Sequence, residues 1–209
     1  MSVEDVKDTG REVLRRTTLH EGRVFDLVGE EVRLDPADGD GVLREFLDHP
    51  GAVAVVALRG DPGAEEVLLV HQYRHPVRAQ LWEIPAGLLD VDGEDHRVAA
   101  ARELYEEADL RAARWDVLVD YFTTPGGSNE SLRIYLARDL TEVPHHEQHD
   151  REDEERDMPK AWVALSDAVA AVHAGRLHNP SAVVGVLAAE SARSRGWAPL
   201  RPVTDPWMR

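Results

Sequence analysis

The stretch Arg102-Glu103-Leu104-Tyr105-Glu106-Glu107 constrains this chain more than any other, because it places three carboxylates and one guanidinium within a single short run. At about 100° per residue, the three glutamates fall on one side of an α-helix. The residues on the other side are mostly apolar and are Val98, Ala101, Tyr105 and Ala108. The pattern therefore predicts a helix whose acidic face is separate from its packing face.

An acidic helix face is often simply solvated, since Glu is a good helix former. Like charges three or four residues apart repel each other, however, and here only Arg102 relieves the repulsion, through its i,i+4 relation to Glu106. Before the helix, an apolar strand runs into a Pro/Gly turn over 82–90, and Glu94 follows. This order favours a site at which the carboxylates share a divalent metal ion.

Composition narrows the choice of metal and of partner. The chain contains no cysteine, so a metal must be held by oxygen or imidazole, and carboxylates favour Mg²⁺ or Mn²⁺. A formal net charge of -16 over 209 residues argues against nucleic acid as a partner. A phosphorylated small molecule could still bind if metal ions bridge it to the carboxylates.

The sequence also predicts where the protein works. No apolar run approaches the roughly 20 residues that cross a bilayer, and residues 1–5 lack the basic and apolar regions of a signal peptide. We therefore expect a soluble, cytoplasmic protein without a membrane partner.

Strand and helix patterns predict an α/β sandwich with a mixed sheet and a small N-terminal antiparallel β unit. The expected division is a β unit over 1–48, an α/β domain over 49–198 and an irregular tail over 199–209. The predicted strands are 12–18, 23–34, 42–47, 52–58, 67–71, 116–122, 132–137 and 161–165. The predicted closing helices are 166–174, with Ser166 as N-cap and Gly175 as stop, and 181–195. The acidic segment 141–157 is expected to be a mobile loop.

The order of residues around the acidic helix resembles the Nudix box, the signature of the Nudix hydrolases. The residues that match the family pattern are Gly87, Glu94, Arg102, Glu103, Leu104, Glu106, Glu107 and Leu110. There are two departures: six residues rather than five separate Gly87 from Glu94, and Asp109 stands where the pattern ends in Gly. Asp can adopt the left-handed conformation of a helix end at a cost of about 1 kcal/mol, so we expect a strained helix end with the glutamates intact.

The resemblance implies a Nudix-type α/β/α sandwich and a role for each matching residue. Glu103, Glu106 and Glu107, with the Ala86 carbonyl, would hold the metal ions. Arg102 would orient these glutamates, and Glu94 would support the box.

Beyond the box, the chain resembles the ADP-ribose pyrophosphatase branch of the family. Pro125 lies sixteen positions after Asp109, which is the branch's marker, and 124–130 resembles the branch's substrate loop with Pro125, Gly126 and Glu130. Arg74 lies in a segment that resembles the one contacting the substrate's phosphates, and its fork suits a diphosphate. As an isolated feature, each could be an ordinary turn or a surface arginine.

The segment 21–25 resembles a strand pair that swaps across a homodimer in this branch and helps to cover the adenine. Phe25 could stack on the base, although an aromatic in an apolar run is more often part of a core. The general base would lie in the acidic loop, with Glu154 as first choice and Glu155 as second. The alternative for this loop, and for His145, His146 and His149, is a solvated segment without a role.

These features predict a magnesium- or manganese-dependent enzyme that cleaves ADP-ribose to AMP and ribose 5-phosphate. Two alternatives stay open. The substrate could be another nucleoside diphosphate sugar or a dinucleotide, or the chain could be a catalytically weak Nudix-like ligand sensor.

Overall fold

The computed structural model describes residues 3–35, 41–149 and 158–209. The chain forms two compact units, one from residues 1–51, 122–131 and 206–209 and the other from 52–121 and 132–205. The domain boundaries expected at residues 48 and 198 stay a prediction.

The first unit contains a three-stranded antiparallel sheet in the order β1-β2-β3. Its strands are β1 (Glu12–His20), β2 (Asp26–Arg33) and β3 (Val42–Asp48). Every residue of β1 is exposed in the single chain, whereas Val28 of the central strand is buried. The small antiparallel β unit expected from the sequence is confirmed.

The second unit is built on a mixed sheet, with the main strand order β10-β5-β4-β9-β8. In it β4 and β9 are parallel, while β5, β6, β7 and β10 join through antiparallel pairs. The strands are β4 (Ala52–Arg59), β5 (Glu66–Arg74), β6 (Ala79–Glu83), β7 (Ala86–Leu88), β8 (Leu110–Phe122), β9 (Ser131–Glu142) and β10 (Lys160–Ala164).

Helices cover both faces of this sheet. Ala52, Ala54, Val56 and Leu58 of β4 share a core with α2 (Leu165–His173) and α3 (Pro180–Arg193). The alternate residues of β4 are equally buried, and α1 (His96–Ala108) contacts β4 without joining that core, so it covers the other face. The predicted α/β sandwich is confirmed. Within the described ranges, no helix has both the length and the apolar character needed to span a bilayer.

The packing face predicted for α1 was wrong in part, because Ala108 is buried as expected but Val98 and Tyr105 are not. Ala99, Ala100 and Leu104 are buried together with Glu103 and Glu107, whereas Val98 is 42% exposed and Tyr105 is only partly buried. The acidic side therefore lies against the protein, because the helix packs on β4 and β7 through small residues that leave room for the carboxylates.

The predicted N-cap at Ser166 was also wrong. The helix begins at Leu165 and has Ala164 at the N-cap position without a side-chain cap. Leu165 is fully buried and its N–H donates to the Glu65 carbonyl at 2.9 Å, so tertiary packing fixes the start one residue earlier. Gly175 has φ 64° just after the helix, as a stop residue requires.

Two strands and one helix extend beyond the bounds expected from the sequence. The strand expected at 116–122 begins at Leu110, and the one expected at 132–137 continues to Glu142. A 3₁₀ turn over His145–Glu147 follows within the expected loop. The second closing helix begins at Pro180, because Asn179 caps it through the Ala182 N–H at 3.0 Å.

Candidate active site

Capping residues fix both ends of α1. Asp95 accepts hydrogen bonds from the N–H groups of Arg97 and Val98 at 3.0 and 3.2 Å, which fixes the first turn. At the other end, Asp109 adopts φ 59° and ψ 38°, the left-handed conformation expected where the family pattern has Gly. The left-handed conformation expected at this helix end is therefore confirmed.

A polar cleft of about 330 Å³ lies in the second unit, along α1 and β7. Its lining brings together seven residues that the sequence had singled out, and they come from β5, β7 and α1. The lining residues are Gln72, Arg74, Ala86, Gly87, Leu88, Asp90, Arg102, Glu103, Glu106 and Glu107.

Arg102 organises the carboxylates of the cleft. Its Nη1 donates to Glu103 Oε1 at 2.6 Å and to Glu106 Oε2 at 3.2 Å, while Nε and Nη2 form a fork on Glu94 at 3.2 and 3.1 Å. The hydrogen bonds to Glu94 and the charges of all three glutamates raise the pKa of the Arg102 guanidinium, against the effect of burial. Arg102 is therefore charged at neutral pH.

The backbone of β7 contacts two of the carboxylates of α1, those of Glu107 and Glu103. Glu107 Oε2 accepts the Ala86 N–H at 3.0 Å, which ties α1 to β7. The Glu103 carboxyl group lies directly against Gly87, where an added Cβ would overlap it. Gly87 is therefore required by close approach, and this contact explains why the box begins with a glycine.

The donor set of the cleft fits a hard divalent cation. The candidate ligands are the Glu103, Glu106 and Glu107 carboxylates and the Ala86 carbonyl, all of them oxygen donors of the kind that Mg²⁺ and Mn²⁺ prefer. In the described ranges, no three His, Asp or Glu side chains already stand as a metal-binding cluster. The carboxylates of Glu103 and Glu106 accept hydrogen bonds from Arg102, and that of Glu107 accepts one from the Ala86 N–H.

Arg74, which the sequence assigns to the substrate's phosphates, also has a partner that sequence reasoning missed. Glu83 is 2% exposed, and its two oxygens accept Nε and Nη2 of Arg74 at 2.9 and 2.7 Å. The two residues point to the same face of the antiparallel β5–β6 pair, together with the buried Gln72. A single acid inside the apolar run 81–84 was the available signal, because a buried carboxylate requires a partner.

The predicted substrate loop lies in the first unit, bound to β3. Leu47 donates its N–H to the Gly127 carbonyl at 2.9 Å, and Asn129 donates back to the Leu47 carbonyl at 3.2 Å. Within the loop, the Thr123 hydroxyl donates to Glu130 Oε2 at 2.6 Å. Pro125 and Gly126 line a mainly apolar cleft of about 350 Å³ with Phe46 and Phe122 of the same unit.

Phe25 also lies in the first unit and is 45% exposed, so it is not part of a core in the single chain. Its ring stacks near that of His49, with centroids 6.4 Å apart. His49, which sequence reasoning missed, accepts the Gly51 N–H on Nδ1 at 3.0 Å and points Nε2 toward Glu130 Oε1 at 3.7 Å.

The two candidates for the general base, Glu154 and Glu155, lie outside the described residues. Among the histidines of the same acidic segment, His146 is exposed beside Glu147, and the His149 ring lies edge-on to Tyr105 at 6.3 Å.

Comparison with known proteins places this geometry in a family. Residues 48–182 match the NUDIX domain. The chain is 44% identical to an ADP-ribose pyrophosphatase of Mycobacterium tuberculosis, over 94% of this chain and 91% of the relative. It is 33% identical to a methanol dehydrogenase activator of Bacillus methanolicus, over 83% of this chain and 89% of the relative.

The fold has a counterpart among solved structures. A crystal structure described as an ADP compounds hydrolase superposes with a TM-score of 0.69 at 19% identity, covering 93% of this chain and 99% of the other. The box residues, the fold and the family match agree, and this chain belongs to the NUDIX domain family.

Proposed function

We propose that this protein is a metal-dependent Nudix hydrolase that cleaves the diphosphate of ADP-ribose with water to give AMP and ribose 5-phosphate. The observation that carries the proposal is the cleft in which Arg102 gathers the glutamates of α1. The ADP-ribose pyrophosphatase of Mycobacterium tuberculosis, 44% identical over nearly the whole chain, supports this choice of substrate.

Mg²⁺ or Mn²⁺ would be held by Glu103, Glu106, Glu107 and the Ala86 carbonyl. When bound, the metal would neutralise and polarise the diphosphate, which a chain with a net charge of -16 would otherwise repel. Arg102 keeps the carboxylates of Glu103 and Glu106 on the cleft side of α1, and its fork on Glu94 fixes its own orientation.

Arg74 would bind the diphosphate directly. Its side chain is 42% exposed and lines the cleft, while the buried Glu83 carboxylate fixes the guanidinium from behind. Holding the fork in one orientation lowers the entropy lost when a phosphate binds.

Water would be activated by Glu154 or Glu155, because the reaction needs a proton acceptor and the box glutamates are assigned to metal. No covalent intermediate is required: the water oxygen forms the new P–O bond, the bridging P–O bond breaks, and the proton passes to the carboxylate.

In the first unit, the loop carrying Pro125, Gly126 and Glu130 would contact the substrate, and Phe25 would stack on the adenine. The exposure of Phe25 supports this role over a place in a core. We further propose a homodimer in which residues 11–48 contact the second copy, because β1 exposes Val13 and Leu19 at 49% and 48%. The cytoplasmic location stays a prediction from the sequence.

A nucleotide panel tests the function. Purified protein with Mg²⁺ is offered ADP-ribose, other nucleoside diphosphate sugars and dinucleotides, and released AMP is measured. We expect the highest kcat/KM with ADP-ribose. Preference for another member of the panel would reassign the substrate, and binding of ADP-ribose without AMP release would indicate a ligand sensor.

A further inference from the structure

Asp109 takes the position of the last box glycine and is held by Lys160, one of only two lysines in the chain. Lys160 Nζ donates to Asp109 Oδ2 at 2.7 Å and to the Ala108 carbonyl at 3.3 Å. The partners are 51 residues apart, one just after α1 and the other at the first residue of β10.

Electrostatics explains why this aspartate needs a cation. The carbonyls at the C-terminal end of a helix carry partial negative charge, so a carboxylate is unfavourable there and an ammonium is favourable. Asp109 is only 7% exposed, and water therefore screens that repulsion little. Lys160 binds the carboxylate and a terminal carbonyl together, which offsets the cost that glycine would not incur.

The backbone of Asp109 also connects the end of α1 to the residue after β9. Its N–H donates to the Tyr105 carbonyl at 3.0 Å, and its carbonyl accepts the Val143 N–H at 2.9 Å, just after β9. The turn that ends at this junction carries Glu106 and Glu107.

We propose that Asp109 and Lys160 form a positioning pair that replaces the box glycine and holds the last turn of α1, with Glu106 and Glu107, at the cleft. Neither Asp109 nor Lys160 lines the cleft, so the pair would act through the position of α1 and not by contact with the substrate or the metal. Its effect on turnover rests on the proposed function, whereas its effect on stability does not.

The test is a double-mutant cycle of the wild type, K160M, D109G and D109G/K160M in the full chain. The readouts are kcat and KM for ADP-ribose, the Mg²⁺ concentration for half-maximal activity, and Tm. We expect K160M to lower kcat by about tenfold with a smaller change in KM, because it leaves the buried carboxylate without its cation. D109G/K160M should recover most of that loss, since no charge then remains to be compensated.

K160R supplies the conservative control and should retain most of the activity, because it keeps the positive charge. If K160M does not fold, D109N/K160M is compared with it, since Asn tolerates the left-handed conformation without the charge. Recovery of the fold would support the pair, and failure to recover it would count against the pair. Equal losses from K160M in the presence and absence of D109G, in kcat and in Tm, would overturn the pair. If the wild type releases no AMP, the proposed function fails, and the Tm cycle still decides whether Asp109 and Lys160 are coupled.

Discussion

Arg102 in α1 and Arg16 in β1 each bind several carboxylates, but in different surroundings. The partners of Arg102 are Glu94, Glu103 and Glu106, whose side chains are 13%, 11% and 26% exposed. Arg16 binds Glu30 and Asp48 from neighbouring strands, whose side chains are 17% and 34% exposed. The Arg16 side chain itself is 46% exposed, against 30% for Arg102. Hydrogen bonds that the two guanidinium groups donate to carboxylates raise the pKa of both arginines, led by the bond to Glu94 for Arg102 and the bond to Glu30 for Arg16.

The Arg102 cluster lines the cleft proposed as the active site, whereas the Arg16 cluster lies on the surface of the first unit. An exposed ion pair contributes about 0–1 kcal/mol, because water and salt screen it and two long side chains must be ordered. At Arg102 the carboxylates are largely withdrawn from water, so removing the guanidinium leaves their repulsion unbalanced. Mutations in the Arg102 cluster should therefore lower turnover, whereas mutations in the Arg16 cluster should change it little.

The largest effect is expected at the box glutamates. Glu106→Gln and Glu107→Gln should each lower kcat by a factor on the order of hundreds or more, because each removes the charge of a proposed metal ligand while keeping its shape. Glu30→Gln in the Arg16 cluster is the matched control and should leave kcat nearly unchanged. Chelation should abolish wild-type activity and added Mg²⁺ should restore it. Activity of both α1 variants within a few-fold of wild type would reject the metal assignment.

The next effect concerns the base. Glu154→Gln should lower kcat by about a hundredfold or more with little change in KM, because a proton acceptor acts mainly in the transition state. Glu155→Gln should then be mild, and the reverse pattern would move the role by one residue. If the double substitution leaves kcat unchanged, the base lies elsewhere, with the box glutamates next to be tested.

Arg102 and Arg16 can be compared directly by replacing each with lysine. Arg102→Lys keeps the charge but cannot bridge Glu94, Glu103 and Glu106 as a fork, so kcat should fall by about tenfold or more. Arg16→Lys should change kcat by less than about twofold and stability by less than about 1 kcal/mol. Similar kinetics for the two variants would contradict the distinction between the clusters.

A smaller, differently distributed effect is expected at Arg74. Arg74→Lys removes the fork that Glu83 fixes, so KM for ADP-ribose should rise by about tenfold while kcat changes less. The measurement is kcat and KM for ADP-ribose, determined separately for the variant and the wild type. A loss confined to kcat would place Arg74 in the chemical step instead.

The smallest effect on kcat per folded chain should come from the exposed sheet of the first unit. Light scattering should report a homodimer. Leu43 is 55% exposed in the single chain, so Leu43→Glu should weaken the dimer without lowering the stability of the protomer. Val91→Glu, at a residue of the second unit that is 54% exposed, is the control and should leave the mass unchanged. A wild-type monomer at working concentration would contradict the proposed assembly.

Local sequence determined much of this protein. The spacing of Gly87, Glu94 and the box predicted the helix α1, and the helix ends at Asp109 and Gly175 followed from backbone preferences of those residues. Such features depend on neighbours a few residues apart, which periodicity and capping rules describe. The strand runs likewise predicted the mixed α/β fold, though not how far β8 and β9 extend.

Only the tertiary structure decided which face of α1 is buried and which distant residues meet. Helical periodicity describes the sides of α1 but not the sheet beside it, so the burial of Glu103 and Glu107 could not be read from the sequence. The pairs Arg74–Glu83 and Asp109–Lys160 depend on strand register and on where β10 begins. Charges so far apart in the chain meet only once apolar burial has fixed the packing of the elements that carry them, because burial supplies most of the driving force and is not specific for partners.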